Sequence, residues 1–169
     1  MTSTKDREAL WRPEIAPLRF ADLDRVEQIE QECYGLPWSR AMFAGELIKS
    51  NSVCLGAFRL ERVIGYLIVS LFVDDWHIMN LAVDPAWRRR GIAERLLEDF
   101  LERSAGGRER GYTLEVRRSN EGAIQLYEQF GFRARGVRRG YYLDDHEDAL
   151  VMWRENSHGP GAGESEGAE

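Results

Sequence analysis

The chain has 169 residues, of which 43% are hydrophobic and 31% are charged, and its formal net charge at pH 7 is -6. That length is enough for one domain with a sizeable core, and the mixture of apolar and charged residues excludes a chain that is mainly disordered. The negative net charge argues against a general nucleic-acid-binding surface. Four glutamates, and no Lys or Arg, follow Arg154, so the rest of the protein is closer to neutral.

Cysteine and histidine usage excludes two kinds of site. Cys33 and Cys54 are too few for a disulfide framework, and their apolar surroundings favour buried free thiols in a reduced, cytoplasmic protein. His77, His146 and His158 have no metal-ligand spacing with cysteines or clustered carboxylates, so no metal site is predicted. No apolar run approaches ~18 residues and no leader opens the chain, so neither a membrane span nor a signal peptide is predicted.

Apolar periodicity predicts helices and strands between an arm and a tail. Residues 1–16 are expected to form a flexible N-terminal arm, residues 17–154 the folded domain, and residues 155–169 a disordered acidic tail rich in Gly and Ser. Helices are predicted at 22–33, after Ser39, at 92–104 and at 120–130. Strands are predicted at 18–20, 53–60, 63–72, 76–83, 112–116, 133–142 and 149–153.

The order of these elements indicates the arrangement of the sheet. The strands at 53–60, 63–72 and 76–83 are connected by short polar turns and are expected to be antiparallel. Strand 76–83, helix 92–104 and strand 112–116 form a crossover unit, which makes the two strands parallel neighbours. We therefore predict an α/β (α+β) single domain, with a mixed, mostly antiparallel sheet of about seven strands and about four helices. If the fourth and fifth strands splay apart at their ends, a ligand slot opens between them.

The loop between the fourth strand and the third helix has the composition of an anion site. The first N–H groups of a helix have no intrahelical partner and lie at the positive end of its dipole, so they bind phosphate. Gly91 allows close backbone approach, and Ala93 is small. Three arginines add positive charge: Arg88, Arg89 and Arg90. The loop predicts a pyrophosphate site for a soluble cofactor, with a plain solvated loop as the alternative.

Two common nucleotide motifs are absent from this loop. No Gly-Lys-Ser/Thr follows Gly91, and the glycine spacing is not that of a dinucleotide-binding turn. Nucleotide hydrolysis and hydride transfer therefore lose support.

A second group of chemistry-bearing residues follows in the fifth strand and the last helix. Strand alternation places Glu115 on the same face as Thr113 and Arg117. In the helix, Tyr127 shares a side with Ala123 and other apolar residues. From these residues alone, Glu115 is either a functional carboxylate or a surface group paired with Arg117, and Tyr127 is either functional or a core aromatic.

Seven motifs together resemble one superfamily. They are Leu36-Pro-Trp-Ser39, Asn80-Leu-Ala-Val-Asp-Pro85, Arg88-x-x-Gly-x-Ala93, Leu114-Glu-Val-Arg-x-Ser-Asn120, Ala123-Ile-x-Leu-Tyr127, Gly131-Phe132, and Arg138-Arg-Gly-Tyr-Tyr142 with Glu147-Asp-Ala149. This set resembles the GNAT superfamily of N-acetyltransferases, which bind acetyl-CoA, and within it the RimI-type ribosomal-protein-alanine N-acetyltransferases. The resemblance extends from about residue 18 to residue 153. Ala93 and Gly140 depart from it, since glycine and asparagine are common at these two positions.

The resemblance implies a set of site residues. It implies Glu115 as general base and Tyr127 as general acid. It implies an acetyl-CoA site formed by Leu81, Ala82 and Val83 of a bulged strand, by the pyrophosphate loop Arg88, Arg89, Arg90, Gly91, Ile92, Ala93 and Glu94, and by Asn120. It also implies a peptide site between the turn at 34–38 and the last hairpin, with Tyr34, Trp38, Tyr141, Tyr142 and Asp144.

These residues suggest an N-alpha-acetyltransferase that works by direct attack in a ternary complex, without an acyl-enzyme. The expected acceptor is a protein N-terminus, with the N-terminal alanine of a small-subunit ribosomal protein as the leading candidate. The alternatives are a GNAT enzyme that acts on lysine or a small amine, and a non-catalytic acetyl-CoA-binding regulator. We expect no direct nucleic-acid or membrane partner, and a monomer.

Overall fold

The computed structural model describes residues 11–158, in which four α-helices and seven β-strands follow one another along the chain. The helices are α1 Leu23–Cys33, α2 Arg40–Ile48, α3 Ile92–Ser104 and α4 Glu121–Gln129. The strands are β1 Glu14–Pro17, β2 Ser52–Arg59, β3 Arg62–Phe72, β4 Asp75–Val83, β5 Gly111–Arg117, β6 Arg133–Arg138 and β7 Ala149–Glu155. None of these helices is long and apolar enough to cross a membrane.

All seven strands belong to one sheet, in the order β1-β2-β3-β4-β5-β7-β6. Every neighbouring pair is antiparallel except β4 and β5, which are parallel. The helix α3 connects these two strands, as a parallel connection requires. The predicted fold class, a mixed and mostly antiparallel sheet with four helices, is confirmed.

The parallel pair is short. Only three residues of β4 pair with β5, from Asp75 opposite Gly111 to His77 opposite Thr113. Met79 then forms a bulge, because Ile78 and Asn80 pair with consecutive residues of β3. A bulge bends its strand, so β4 turns away from β5 after His77. The predicted splay between the fourth and fifth strands is confirmed.

The two faces of the sheet are covered by different helices. The apolar faces of α1 and α2 pack against one side, where Val26, Ile29, Phe43 and Tyr66 are buried. The helices α3 and α4 pack against the other side. Successive residues of β3 alternate between the two clusters, which is why the whole strand is apolar and buried.

The first strand differs from its prediction. A strand at 18–20 is wrong, because the strand lies at Glu14–Pro17 and a turn of 3-10 helix occupies Phe20–Asp22. Pro17 tolerates this position because β1 is an edge strand, where a missing N–H breaks no ladder. Residues 14–16 of the predicted arm therefore belong to the sheet, and residues 1–10 lie outside the described residues.

The C-terminal boundaries also differ from their predictions. The strand predicted at 133–142 ends at Arg138, since Gly140 adopts a left-handed conformation with φ of 58° and turns the chain. The last strand continues to Glu155, two residues beyond its predicted end. Of the predicted tail, residues 159–169 lie outside the described residues.

A buried ion pair connects α1 to the end of β4. Arg25 of α1 donates to the carboxylate of Asp84, and their side chains are 17% and 10% exposed. The other carboxylate oxygen of Asp84 accepts the N–H of Ala86 at 2.9 Å. Arg25 also donates to the Val63 carbonyl at 3.3 Å. These contacts hold α1 against the strand that leads into the arginine loop.

Replacement of Asp84 by asparagine should destabilise the fold. Asp84→Asn keeps the volume of the side chain and the acceptor for Ala86, but leaves the Arg25 charge without its counterion. We expect a loss of about 3 kcal/mol in the free energy of unfolding, measured by urea denaturation. The matched control Glu98→Gln, in the exposed pair with Arg95 on α3, should cost less than about 1 kcal/mol. Equal losses for the two variants would contradict a stabilising role for the buried pair.

Candidate active site

The gap between β4 and β5 leaves one edge of β4 unpaired. The Tyr34 hydroxyl donates to the Leu81 carbonyl at 2.5 Å, and the Cys33 thiol donates to the Val83 carbonyl at 3.4 Å. Within a strand, the N–H and C=O of one residue point to the same side. The N–H groups of Leu81 and Val83 therefore also face the gap.

Ala82 faces the other way. It pairs with Tyr66 of β3. Asp84 lies two residues further along the chain, so its backbone groups point to the same side as those of Ala82, and its N–H donates to the Ile64 carbonyl of β3 at 2.9 Å. The backbone groups of Ala82 are therefore directed to β3 and not to the gap. The prediction that Ala82 offers backbone groups to a ligand is corrected on this geometry, and Leu81 and Val83 remain.

The loop before α3 has the backbone of an anion site. Arg89 and Gly91 both have positive φ, at 59° and 75°, and Gly91 is the N-cap residue of α3. Alternation of left-handed and right-handed residues turns successive N–H groups inwards and forms a concave nest. Ile92 is 2% exposed and its side chain belongs to the core. As the first residue of α3, it has an N–H without an intrahelical acceptor. The first turn of α3 thus points several unpaired donors at one place.

The charges around this loop favour an anion. None of Arg88, Arg89 and Arg90 forms an ion pair with a residue between 11 and 158. Arg88 donates to the Cys33 sulfur at 3.3 Å, and the Arg90 guanidinium lies 4.7 Å from the centre of the Trp87 ring. Uncompensated positive charge beside free helix N–H groups suits a diphosphate.

Glu115 lies on β5 at the other end of the gap and is not a surface group paired with Arg117. Its side chain is 10% exposed, and both oxygens are occupied. His77 Nε2 is 2.5 Å from Oε2, and Arg138 Nε is 3.3 Å from Oε1. The hydrogen bond with His77 holds the pKa of Glu115 below its usual value, against the opposing effect of burial. The carboxylate is therefore ionised at neutral pH.

Tyr127 lies on α4, where its ring is 7% exposed and packs edge-on against Phe132 at 5.7 Å. Burial, with a smaller effect of Tyr142, raises the pKa of the Tyr127 hydroxyl. Burial, with Tyr127 as the next largest cause, likewise raises the pKa of Tyr34. Tyr127 thus lies close enough to both Tyr34 and Tyr142 for an electrostatic effect, and it retains its proton at neutral pH.

The turn at 34–38 is held by a buried carboxylate. Glu30 is 2% exposed and accepts from the Tyr66 hydroxyl, from Asn80 Nδ2 at 2.9 Å and from the Trp38 backbone N–H at 3.0 Å. The Trp38 ring packs on Phe43 at 5.2 Å, within the core beneath the turn. Glu30 therefore fixes the turn relative to β4.

The loop between β6 and β7 is held by Arg117. Its guanidinium donates to three acidic residues of that loop and lies 3.9 Å from the centre of the Tyr142 ring. The acceptors are Asp144 at 2.8 Å, Asp145 at 2.9 Å and Glu147 at 3.3 Å. Tyr141 is 46% exposed and packs edge-on against Tyr142. The charge of Asp144 is therefore already compensated.

The two loops approach each other over the gap. A Cβ placed on Gly35 would be 3.5 Å from an Asp144 carboxylate oxygen. Asn120, at the start of α4, uses its side-chain oxygen to accept the Ala123 N–H at 3.2 Å and so caps the helix. Its amide nitrogen makes no hydrogen bond to the described residues. The Gly35–Asp144 approach thus brings the two loops predicted to hold the peptide close together.

Sequence reasoning missed three residues of this site. From the sequence, His77 is weighed only as a metal ligand, Arg138 is only part of a motif, and Glu30 is only one residue of the helix predicted at 22–33. Strand alternation could have placed His77 on the face of Glu115, but only with the register of β4 against β5. Within residues 11–158 no cluster of three or more His, Cys, Asp or Glu residues could hold a metal ion.

Comparison with known proteins gives a consistent result. Residues 23–132 match the model of the acetyltransferase (GNAT) family. The [ribosomal protein bS18]-alanine N-acetyltransferase of Salmonella typhimurium is 36% identical over 140 residues, which are 82% of this chain and 94% of that protein. The N-alpha-acetyltransferase RimI of Mycobacterium tuberculosis is 33% identical over 148 residues, 84% of this chain and 92% of that protein.

The fold is similar to a solved structure of the same kind. The crystal structure of the ribosomal-protein-S18-alanine N-acetyltransferase from Escherichia coli has a TM-score of 0.78 and 32% sequence identity, and the match covers 85% of this chain and 93% of that one. The matched part of the chain contains the arginine loop, the gap, Glu115 and Tyr127. The chain belongs to the GNAT family of acetyltransferases.

Proposed function

We propose that this enzyme transfers the acetyl group of acetyl-CoA to the N-terminal amine of a protein. The observation that carries the proposal is the single gap that has anion-binding N–H groups at one end, free strand N–H groups along one side and an ionised Glu115 opposite. Relatives at 33–36% identity are named as N-terminal acetyltransferases. A ribosomal protein with N-terminal alanine is the first acceptor to test.

Acetyl-CoA fits the gap in three parts. Its diphosphate binds the nest at Arg89 and Gly91 and the first N–H groups of α3, including those of Ala93 and Glu94. Its pantetheine arm lies along the free edge of β4 and hydrogen-bonds to Leu81 and Val83. Asn120 supplies a further amide donor to that arm. The thioester then lies beside the point where β4 and β5 part.

Proton transfer is assigned to Glu115 and Tyr127. The amine attacks the thioester carbon, the C–S bond breaks, and the nitrogen loses protons as the amide forms. Glu115 accepts a proton from the nitrogen because it is ionised at neutral pH. Tyr127 keeps its proton until it donates it to the departing CoA sulfur. A free backbone N–H of β4 polarises the carbonyl oxygen, as in an oxyanion hole.

The chemistry of the amine favours an N-terminus over a lysine. An α-amino group has a pKa of about 7.7–8.0, so roughly a tenth is neutral at pH 7. A lysine, with a pKa of about 10.4, is neutral in less than about one molecule in a thousand. A carboxylate whose pKa lies below its usual value is a weak base. It therefore suits an α-amino group, whose ammonium form loses its proton more readily than that of lysine.

The acceptor peptide lies between the turn at 34–38 and the loop between β6 and β7. Tyr34, Tyr141 and Tyr142 face it, while Asp144 fixes the loop through Arg117. Because its relatives modify ribosomal protein, the cytoplasm is the compartment that we propose, with the enzyme acting as a monomer and without a direct nucleic-acid or membrane partner.

Substitution of Glu115 and Tyr127 should remove turnover but not cofactor binding. Glu115→Gln and Tyr127→Phe are each expected to lower kcat by about 10²–10⁴, as for the loss of a general base or acid. The dissociation constant for acetyl-CoA, measured by calorimetry, should be nearly unchanged. Wild-type turnover in both variants would show that neither residue transfers a proton.

Substitution of Gly91 should have the opposite effect. Gly91→Ala places a Cβ on a left-handed residue, which costs an L-amino acid roughly 1–2 kcal/mol and also crowds the anion. We expect acetyl-CoA to bind about tenfold more weakly, or worse, in calorimetric titration. The control Gly45→Ala lies in α2, where a Cβ meets nothing within 4 Å, and should bind normally. Equal affinities of the two variants would exclude the loop as the diphosphate site.

A peptide panel should identify the acceptor class. Release of CoA should be fastest with peptides that begin with alanine and should vanish when their α-amino group is blocked. A blocked peptide that contains lysine tests the first alternative, and a wild-type rate with it would overturn the N-terminal assignment. No turnover with any peptide or small amine, despite acetyl-CoA binding, would favour a regulator.

A further inference from the structure

His77 is in direct contact with the carboxylate that we assign as the base. It is the last residue of β4 that pairs with β5, and it lies opposite Thr113. Thr113 and Glu115 share a face of β5, so the His77 ring reaches Glu115 across the bottom of the gap, with Nε2 2.5 Å from Oε2. The edge of Phe72 lies against the ring at 5.9 Å.

Of the two side chains in contact, Glu115 is the more buried and His77 is the more exposed to solvent. The Glu115 side chain is 10% exposed, whereas that of His77 is 25% exposed. Arg138 occupies the other carboxylate oxygen at 3.3 Å. A proton that arrives on Glu115 therefore has one titratable neighbour to which it can pass within hydrogen-bond distance, and that neighbour has contact with water.

The reaction produces such a proton. An ammonium group carries three protons on nitrogen and the amide product carries one, so two protons leave the nitrogen in each turnover. Tyr127 donates its own proton to the CoA sulfur, and one of the two protons from the nitrogen replaces it. The other proton must reach the solvent. The Glu115 side chain, which is 10% exposed, has little direct contact with water to which it could release this proton.

We propose that His77 is a positioning residue that orients Glu115 and relays its proton to solvent. The relay rests on the proposed acetyl transfer but not on the kind of acceptor, since every amine has the same proton balance. With Glu115 ionised, Nε2–H of the neutral ring donates to the carboxylate. After Glu115 takes the amine proton, exchange with water moves the ring proton from Nε2 to Nδ1, Nε2 accepts the proton from the Glu115 carboxyl, and Nδ1 releases its proton to water, which restores the first state. Glu115 is thereby ionised again for the next amine.

Several other charged or titratable groups face this pair. Arg138 comes from β6 and binds Glu115 directly. The Tyr142 hydroxyl, whose pKa is raised to about 12 by burial, is influenced by Glu115 and by Arg117. Because Glu115 and His77 are in direct contact, the effect of His77 on the pH dependence of kcat is read from the difference between the wild-type enzyme and a His77 variant.

The test separates a relay from a simple hydrogen bond. His77→Gln retains an amide that can bond to Glu115 but cannot titrate. We expect its kcat at pH 7 to fall about tenfold to a hundredfold with KM for both substrates little changed. The acid limb of its kcat profile should move to higher pH, because His77 holds the pKa of Glu115 below its usual value and a neutral amide does so less. The matched control His158→Gln, which lies beyond the end of β7, should behave as wild type.

A second variant guards against damage to the fold. Imidazole in the buffer should restore kcat to His77→Ala in proportion to its concentration, and the much weaker base pyrazole should not. A wild-type kcat and pH profile in His77→Gln would overturn the relay. So would failure of imidazole rescue in a folded His77→Ala variant that still binds acetyl-CoA. Absence of turnover in the wild-type protein with every amine would instead overturn the proposed function and the relay together.

Discussion

The site depends on the separation of β4 from β5 after only three paired residues. Paired along their full length, the two strands would use each other's N–H and C=O groups, and no edge would be free for a ligand. The bulge at Met79 bends β4 away from β5. Because successive residues of a strand direct their backbone groups to opposite sides, only every second residue of β4 then faces the opening. Leu81 and Val83 do so, while Ala82 faces β3. One irregular residue thus converts a sheet ladder into a row of unused donors.

Other parts of the fold maintain this opening. The Arg25–Asp84 pair and the hydrogen bonds of Glu30 attach α1 to β4, so the strand cannot move back towards β5 without breaking buried polar contacts. Such contacts are costly to break, because a buried group without its partner loses its hydration as well. On the far side, Arg117 neutralises the acidic residues of the loop between β6 and β7. The cleft is therefore held open from both sides.

Much of the fold could be predicted from the sequence. The helix at 92–104 matches α3 at both ends because its apolar spacing is strict and Gly91 marks its start. The crossover rule predicted the one parallel pair. Prediction failed where tertiary context decides: the arm was predicted to extend to residue 16, yet Glu14–Pro17 form an edge strand. The contacts of Glu115 required the register of β4 and β5 and the approach of Arg138 from β6, and neither follows from spacing along the chain.

The central claim is that backbone N–H groups in this gap bind acetyl-CoA, and amide hydrogen exchange by NMR tests it residue by residue. Addition of CoA should slow exchange at Leu81 and Val83, whose N–H groups face the gap, and at Ile92 and Ala93, which lie in the first turn of α3. Exchange at Ala82, which already faces β3, should change little and serves as the internal control. Slowed exchange at a different surface, with these four amides unaffected, would contradict the account.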